Sequence, residues 1–191
     1  MSVSFNIVID KADVEKRLGD MKNKAPLVIA RALNDTARNA RTRLGDKARE
    51  VYTVKKRGFN RAMTLKRATS GSLVAILNAS GSPIPLKDFS HYGGRNKRRL
   101  STMVARPAGR KAWGADAFFN KISGGGQKGG GHTDVATRVG KSRLPIKKRF
   151  SLSVPYMIGS EKYVYGVIKP HIQSDLQKNI TREINRLLGG F

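Results

Sequence analysis

Glycine clusters ahead of a Gly-Lys-Ser triplet are the raw material of a phosphate-cradling loop, and residues 124–144, "GGGQKGGGHTDVATRVGKSRL", contain both. A loop of the G-x-x-x-x-G-K-[ST] type needs a glycine five residues before its second one, so that the backbone amides turn inward. Counted back from Gly140-Lys141-Ser142, that position is Val135, which does not relax into positive φ as glycine does. The context also differs. Val135, Thr137 and Val139 alternate with polar residues as in a strand, and Leu144-Pro145 opposes a following helix. A strand, a turn and extended chain do not make a nucleotide loop, and no cofactor is expected.

Other chemistry is equally sparse. The three histidines, His91, His132 and His171, are scattered, and there is no cysteine, so neither a transition-metal site nor a thiol nucleophile has a ligand pattern. Asp10 and Asp13 have the spacing of a helix start. Asp134 lies two residues from His132, half of a triad on paper, but no serine occupies a strand-turn-helix elbow. With motifs for nucleophile, base and metal all missing, no catalytic, metal or cofactor residue is assigned, and the chain reads as a non-enzyme.

The glycines take a different reading. Gly124, Gly125 and Gly126, then Gly129, Gly130 and Gly131, bracket only Gln127 and Lys128. Such an octet buries nothing and behaves as flexible chain. It is expected as a loop or long hairpin tip that either stays mobile or orders on a partner surface.

Charge is the strongest compositional fact: 38 Lys and Arg against 13 Asp and Glu give a formal net charge of +25 over 191 residues. That excess exceeds what solubility requires; such a chain repels its own copies unless a polyanion or an acidic partner neutralises it. Between Phe89 and Ser160 the acids are only Asp116 and Asp134. The densest runs, Arg95, Lys97, Arg98, Arg99 and then Lys141, Arg143, Lys147, Lys148, Arg149, are the candidate contacts for DNA or an acidic protein. Aromatic residues do not interleave with them as a stacking platform would, so any DNA contact is expected to be electrostatic and blind to sequence. A hydrophobic fraction of 39% is low for a compact globule, so part of the chain is surface extension or is buried only in an assembly. No signal peptide or membrane span is expected.

These residues require elements to hold them. Val3, Phe5, Ile7 and Ile9 alternate as a half-buried strand. A short helix follows, capped by Asp10, with Val14, Leu18 and Met21 on one face. Pro26 opens a second helix to about Glu50, whose alanine-rich stripe lets a neighbour approach closely, with Arg31, Arg38, Arg41 and Arg43 at its margins or on other faces. Thr53 caps a short helix with Val54 and Phe59 inward. Two short strands turn at Ser70-Gly71, and Pro83 and Pro85 oppose any central strand. Phe150, Leu152 and Val154 make one more strand, stopped at Pro155. From about Ser160 the chain is helical, with Val164, Ile168, Ile172, Leu176, Ile180, Ile184 and Leu188 forming a stripe; Pro170 divides it into a short helix and a longer one meeting at a kink.

The fold class is therefore α+β: a long N-terminal helix and a kinked C-terminal helix packed on a small, mainly antiparallel sheet, with an extended basic loop or hairpin arm. Residues 1–191 form a single domain, in which 1–88 and 151–191 are the body and 89–150 the basic, Gly-rich arm or loop insertion.

The alanine-rich "ARALNDTARNA" at 30–40, "VKKRGFNRAMTLKRAT" at 54–69, "GKSRLPIKKRFSLSVPYM" at 140–157 and "VIKPHIQSDLQKNITREINRLL" at 167–188 together resemble the minor tail protein Z (tail completion protein) family of lambda-like long-tailed phages and prophages. The likeness spans roughly residues 25–188, and none of its segments is a catalytic signature. The resemblance implies a virion structural protein assembled in the host cytoplasm. It would act at the head-proximal end of the tail, as a homo-oligomeric ring, expected to be a hexamer, bound to the tail terminator and to neck or head-tail connector proteins. Nonspecific contact with the phage DNA end would follow, and membrane contact would not. The alternative from the residues alone is a free, sequence-nonspecific nucleic-acid-binding protein of nucleoid or ribosomal type. Docking on acidic protein alone fits the tail role equally well.

Overall fold

A computed structural model describes residues 2–7, 9, 11–54, 59, 62–93, 100–112, 117–122 and 132–189. Asp10, the cluster Arg95, Lys97, Arg98, Arg99 and the glycine octet lie outside them.

The fold is α+β, with two long helices and several small antiparallel sheets. Strand β1 (Ser2–Ile7) leads into α1 (Lys11–Leu18), whose Val14 and Leu18 are buried. Met21, expected on the same face, sits in a 3-10 segment over Gly19–Lys24 with non-helical dihedrals. Helix α2 (Ala25–Val51) then runs 27 residues with Pro26 in its first turn, where the missing amide costs nothing. Its buried stripe includes Ala25, Ala32, Ala37, Ala40 and Ala48 between Ile29, Leu33 and Leu44.

The first sheet pairs β2 (Met63–Lys66) and β1 on either side of β3 (Ala75–Ser80). Phe5 lies opposite Leu77, and Met63 opposite Ala79, so the alternation in sequence becomes one apolar face. The Thr69–Ser72 bridge closes the turn at Ser70-Gly71. Among the described residues, short β4 (Pro83–Pro85) pairs with β11 (Phe150–Ser153) alone, in keeping with prolines that cannot serve a ladder on both sides.

The middle of the chain forms two further sheets. One is β5 (Ser90–Tyr92), β6 (Ser101–Met103) and β7 (Lys111–Ala112); the other orders β8 (Ala117–Ile122), β9 (His132–Arg138) and β10 (Ile146–Lys148) with β9 central. Phe89, Leu100, Ala117 and Val135 are buried in one cluster with Phe5, Leu44 and Met157, so segment 89–150 contributes core as well as surface. Thr53 joins α2 to β5 and β6: its hydroxyl donates to the Met103 carbonyl and accepts from the Ser90 amide, while residues 55–58, the start of the helix it is expected to cap, lie outside the described residues. Val54 and Phe59 are buried, as their spacing predicts.

Helix α3 (Val154–Ile158) begins where β11 stops, with Pro155 in its first turn. Helix α4 is one element, Tyr165–Leu187, containing Pro170; the two helices expected to meet at that proline are a single helix. Pro170 forfeits one amide bond, that to the Gly166 carbonyl, and the helix continues through it. Helices α2 and α4 run antiparallel, a polarity set out by Arg43 with Asp175, Thr36 with Asn179, and Arg31 with Glu183. The buried Asn179 amide donates to the Thr36 hydroxyl at 2.9 Å, and that hydroxyl donates to the Ala32 carbonyl at 2.8 Å. Both buried polar groups are thus satisfied.

The start of α4 rests against the preceding turn, where a Cβ on Gly166 would overlap the Glu161 carbonyl oxygen. Gly166→Ala should therefore lower stability by about 1–3 kcal/mol. Gly140→Ala, facing open space, should be neutral within about 0.5 kcal/mol. Urea unfolding midpoints check the pair, and equal midpoints would contradict the contact.

Candidate anionic-partner interface

The lone acid of the described basic middle organises its surroundings. Strand β9 is buried on both faces: Val135 joins the main core, while Asp134, on the opposite face, is inaccessible to solvent. Lys148 lies opposite Ala136 in the β9–β10 register, so its side chain shares the face of Asp134. Its ammonium stands 2.5 Å from one carboxylate oxygen, and that of Lys87 stands 3.5 Å from the other. Lys87 belongs to the 3-10 turn Leu86–Asp88 that follows β4. The triad therefore ties the β8–β9–β10 sheet to the β4–β11 region. Backbone bonds run beside it, from the Arg149 amide to the Val135 carbonyl and from the Leu86 amide to the Arg149 carbonyl. A buried carboxylate is tolerable because two cations face it, and loss of either partner is expensive.

Two of the expected contact residues thus have internal duties. Lys148 holds Asp134 and also lies over the Phe150 ring. Arg149 is half-buried and donates from Nε to the Thr137 hydroxyl at 2.8 Å. Lys141, Arg143 and Lys147 are exposed and lie together on the turn and edge strand that follow β9. Arg138 braces that turn by donating to the Arg143 carbonyl at 3.2 Å, and its guanidinium lies over Phe118. Gly140-Lys141-Ser142 sits in this turn, after a strand and before the extended chain at Leu144-Pro145, a cis peptide. No helix N-terminus follows the triplet, in line with its rejection as a phosphate loop.

The turn also exposes apolar side chains. Val139 is 64% and Leu144 67% accessible, flanking the three cations. Cations with exposed aliphatic neighbours make a surface suited to an acidic protein partner, since the apolar groups gain from burial while the charges supply complementarity.

His91 accounts for itself structurally: Nδ1–H donates to the Phe89 carbonyl, and the ring meets Phe119 edge-on at 5.1 Å between centroids. Among the described residues no group of three His, Asp or Glu side chains is placed to hold a metal ion, and no helix is long and apolar enough to cross a membrane. Sequence reasoning missed Lys87 as a partner of Asp134; the available signal was one of only two acids inside a basic tract. The chain matches no known protein family, no characterised protein and no solved structure.

The triad generates a contrast between adjacent lysines. Lys148→Met should lower stability by about 2–4 kcal/mol, with Lys87 left to offset part of the buried charge. Lys147→Met, on an exposed side chain, should shift stability by less than about 0.5 kcal/mol. Urea unfolding of both variants reads the difference, and indistinguishable curves would remove Lys148 from the anchor.

Proposed function

We propose that the protein is a structural component of a long-tailed phage virion that completes the tail at its head-proximal end. In this reading copies assemble as a ring, a hexamer, between the tail terminator and the neck or head-tail connector proteins, where the DNA end is accommodated. The proposal draws its location from the sequence resemblance. Its physical support is one observation: the exposed β9–β10 turn, where Lys141, Arg143 and Lys147 stand beside Val139 and Leu144.

The charge distribution explains why such a surface needs a partner. Acids on the helices are engaged locally, as in Lys11–Glu15, Lys47–Glu50 and Arg49–Asp46, and Asp134 is engaged internally. The +25 surplus therefore has little acid left to face. A ring concentrates that charge and demands anionic neighbours, whether acidic protein or DNA. The exposed aliphatic side chains favour protein at the turn.

Native mass spectrometry with and without purified tail tubes capped by terminator tests the reading. A ring, or stoichiometric addition to the tail end, is expected. The charge-reversed variant Lys141→Glu/Arg143→Glu/Lys147→Glu should weaken that addition by at least about tenfold. A monomer that ignores tails and shifts onto any duplex would overturn the proposal in favour of a free, sequence-nonspecific nucleic-acid binder.

A further inference from the structure

The α2–α4 seam carries a second cationic feature, built from different residues. Arg31, Arg38, Arg67 and Arg186 line an open cleft of about 360 Å³, with Asp35 and Glu183 in its wall. Arg31 and Arg38 lie two helical turns apart on one face of α2, and Arg186 comes from α4. Arg67 is positioned by its neighbour: the Asn34 side chain accepts from the Ala68 amide at 2.8 Å and donates to the Ala68 carbonyl at 2.9 Å. That two-bond clamp fixes the chain after β2 against α2, and Arg67 with it.

The acids of the cleft organise these guanidiniums without neutralising them. Asp35 meets Arg38 at 3.1 Å and Arg182, outside the lining, at 2.6 Å. The buried Glu183 carboxylate is 3.9 Å from Arg31 and 4.0 Å from Arg186. Arg67 is exposed and makes no ion pair among the described residues. Each guanidinium has five donors, and an ion pair at these distances occupies one or two. The cleft therefore has a net positive charge and spare donors in planar forks, from arginine throughout. Arginine, unlike lysine, matches the two-oxygen edge of a phosphate.

We propose that this cleft is a phosphate site, taking an anion with two adjacent phosphate groups. Such an anion comes either as a free diphosphate-type compound or as neighbouring phosphates of a nucleic-acid backbone. The site stands apart from the tail reading and holds whether or not the β9–β10 turn docks on protein.

Calorimetric titration of the full chain with pyrophosphate, and separately with a short DNA duplex, tests it. Saturable binding of one pyrophosphate per chain is expected. Arg38→Gln/Arg67→Gln should weaken it by about tenfold or more, the worth of charge-assisted bonds, while Lys141→Gln/Arg143→Gln/Lys147→Gln should leave it unchanged. Arg38→Lys/Arg67→Lys keeps the charge and loses the forks; it should weaken binding by several-fold, and it carries the test if the glutamine variant fails to fold. Duplex affinity that falls with the cleft variants identifies the nucleic-acid backbone as the source. Duplex affinity that follows only the turn variant identifies a free phosphate compound. No saturable pyrophosphate binding, or cleft variants that bind like the unaltered chain, would overturn the site.

Discussion

The antiparallel packing of α2 on α4 is the constraint from which the rest of the structure follows. Alanines along the buried stripe of α2 keep its surface low, so the neighbouring helix can sit close and the seam can be dense. Inside that seam a neutral polar pair is retained, Asn179 with Thr36. A buried amide must find its partner, so this bond admits one register of helix on helix and rejects slipped ones. The ion pairs Arg43–Asp175 and Arg182–Asp35 lie at the edges of the seam, where solvent limits their energetic worth but not their directional effect.

From that seam the apolar surface extends in two directions. One buried cluster joins α1, the first part of α2 and the last part of α4; the other gathers the end of α2, the first sheet, α3 and the middle sheets. Phe5 stacks on Tyr165 with centroids 4.4 Å apart, which couples the first strand to the start of α4. Near it, burial holds the Tyr52 phenol above its usual pKa, an effect that a hydrogen bond with Ser160 partly opposes. The middle of the chain is held to this body by two unlike devices. One is a short-range stitch of backbone and hydroxyl bonds around Thr53; the other is the buried Lys87–Asp134–Lys148 triad. Both leave the β9–β10 turn projecting cations outward from a braced base.

Much of this was legible in the residues. Alternation marked β1, β9 and β11, the alanine stripe marked α2, and the four-residue apolar spacing marked α4, because each of these patterns reports a local periodicity. Pro170 does not divide α4 into two helices: a proline forfeits one amide bond, and the ladder on either side, backed by the buried Ile168, Leu176, Ile180 and Ile184, keeps the element continuous. The bridging role of Thr53 is not legible in sequence, because its partners, Met103 and Ser90, both lie far along the chain.

The sequence by itself determined the sign and size of the charge, the want of a motif for catalysis, and the kinds of element present. These are sums over residues or local periodicities, which need no knowledge of distant contacts. Tertiary structure alone decided which cations have internal work and which face outward. Lys147 and Lys148 are adjacent and chemically identical, yet one is exposed and the other neutralises a buried carboxylate. It likewise gathered Arg31, Arg38, Arg67 and Arg186 from three segments into one cleft. The reason is physical: Coulomb energy and desolvation depend on separation and burial in space, and neither quantity is written in the order of the residues.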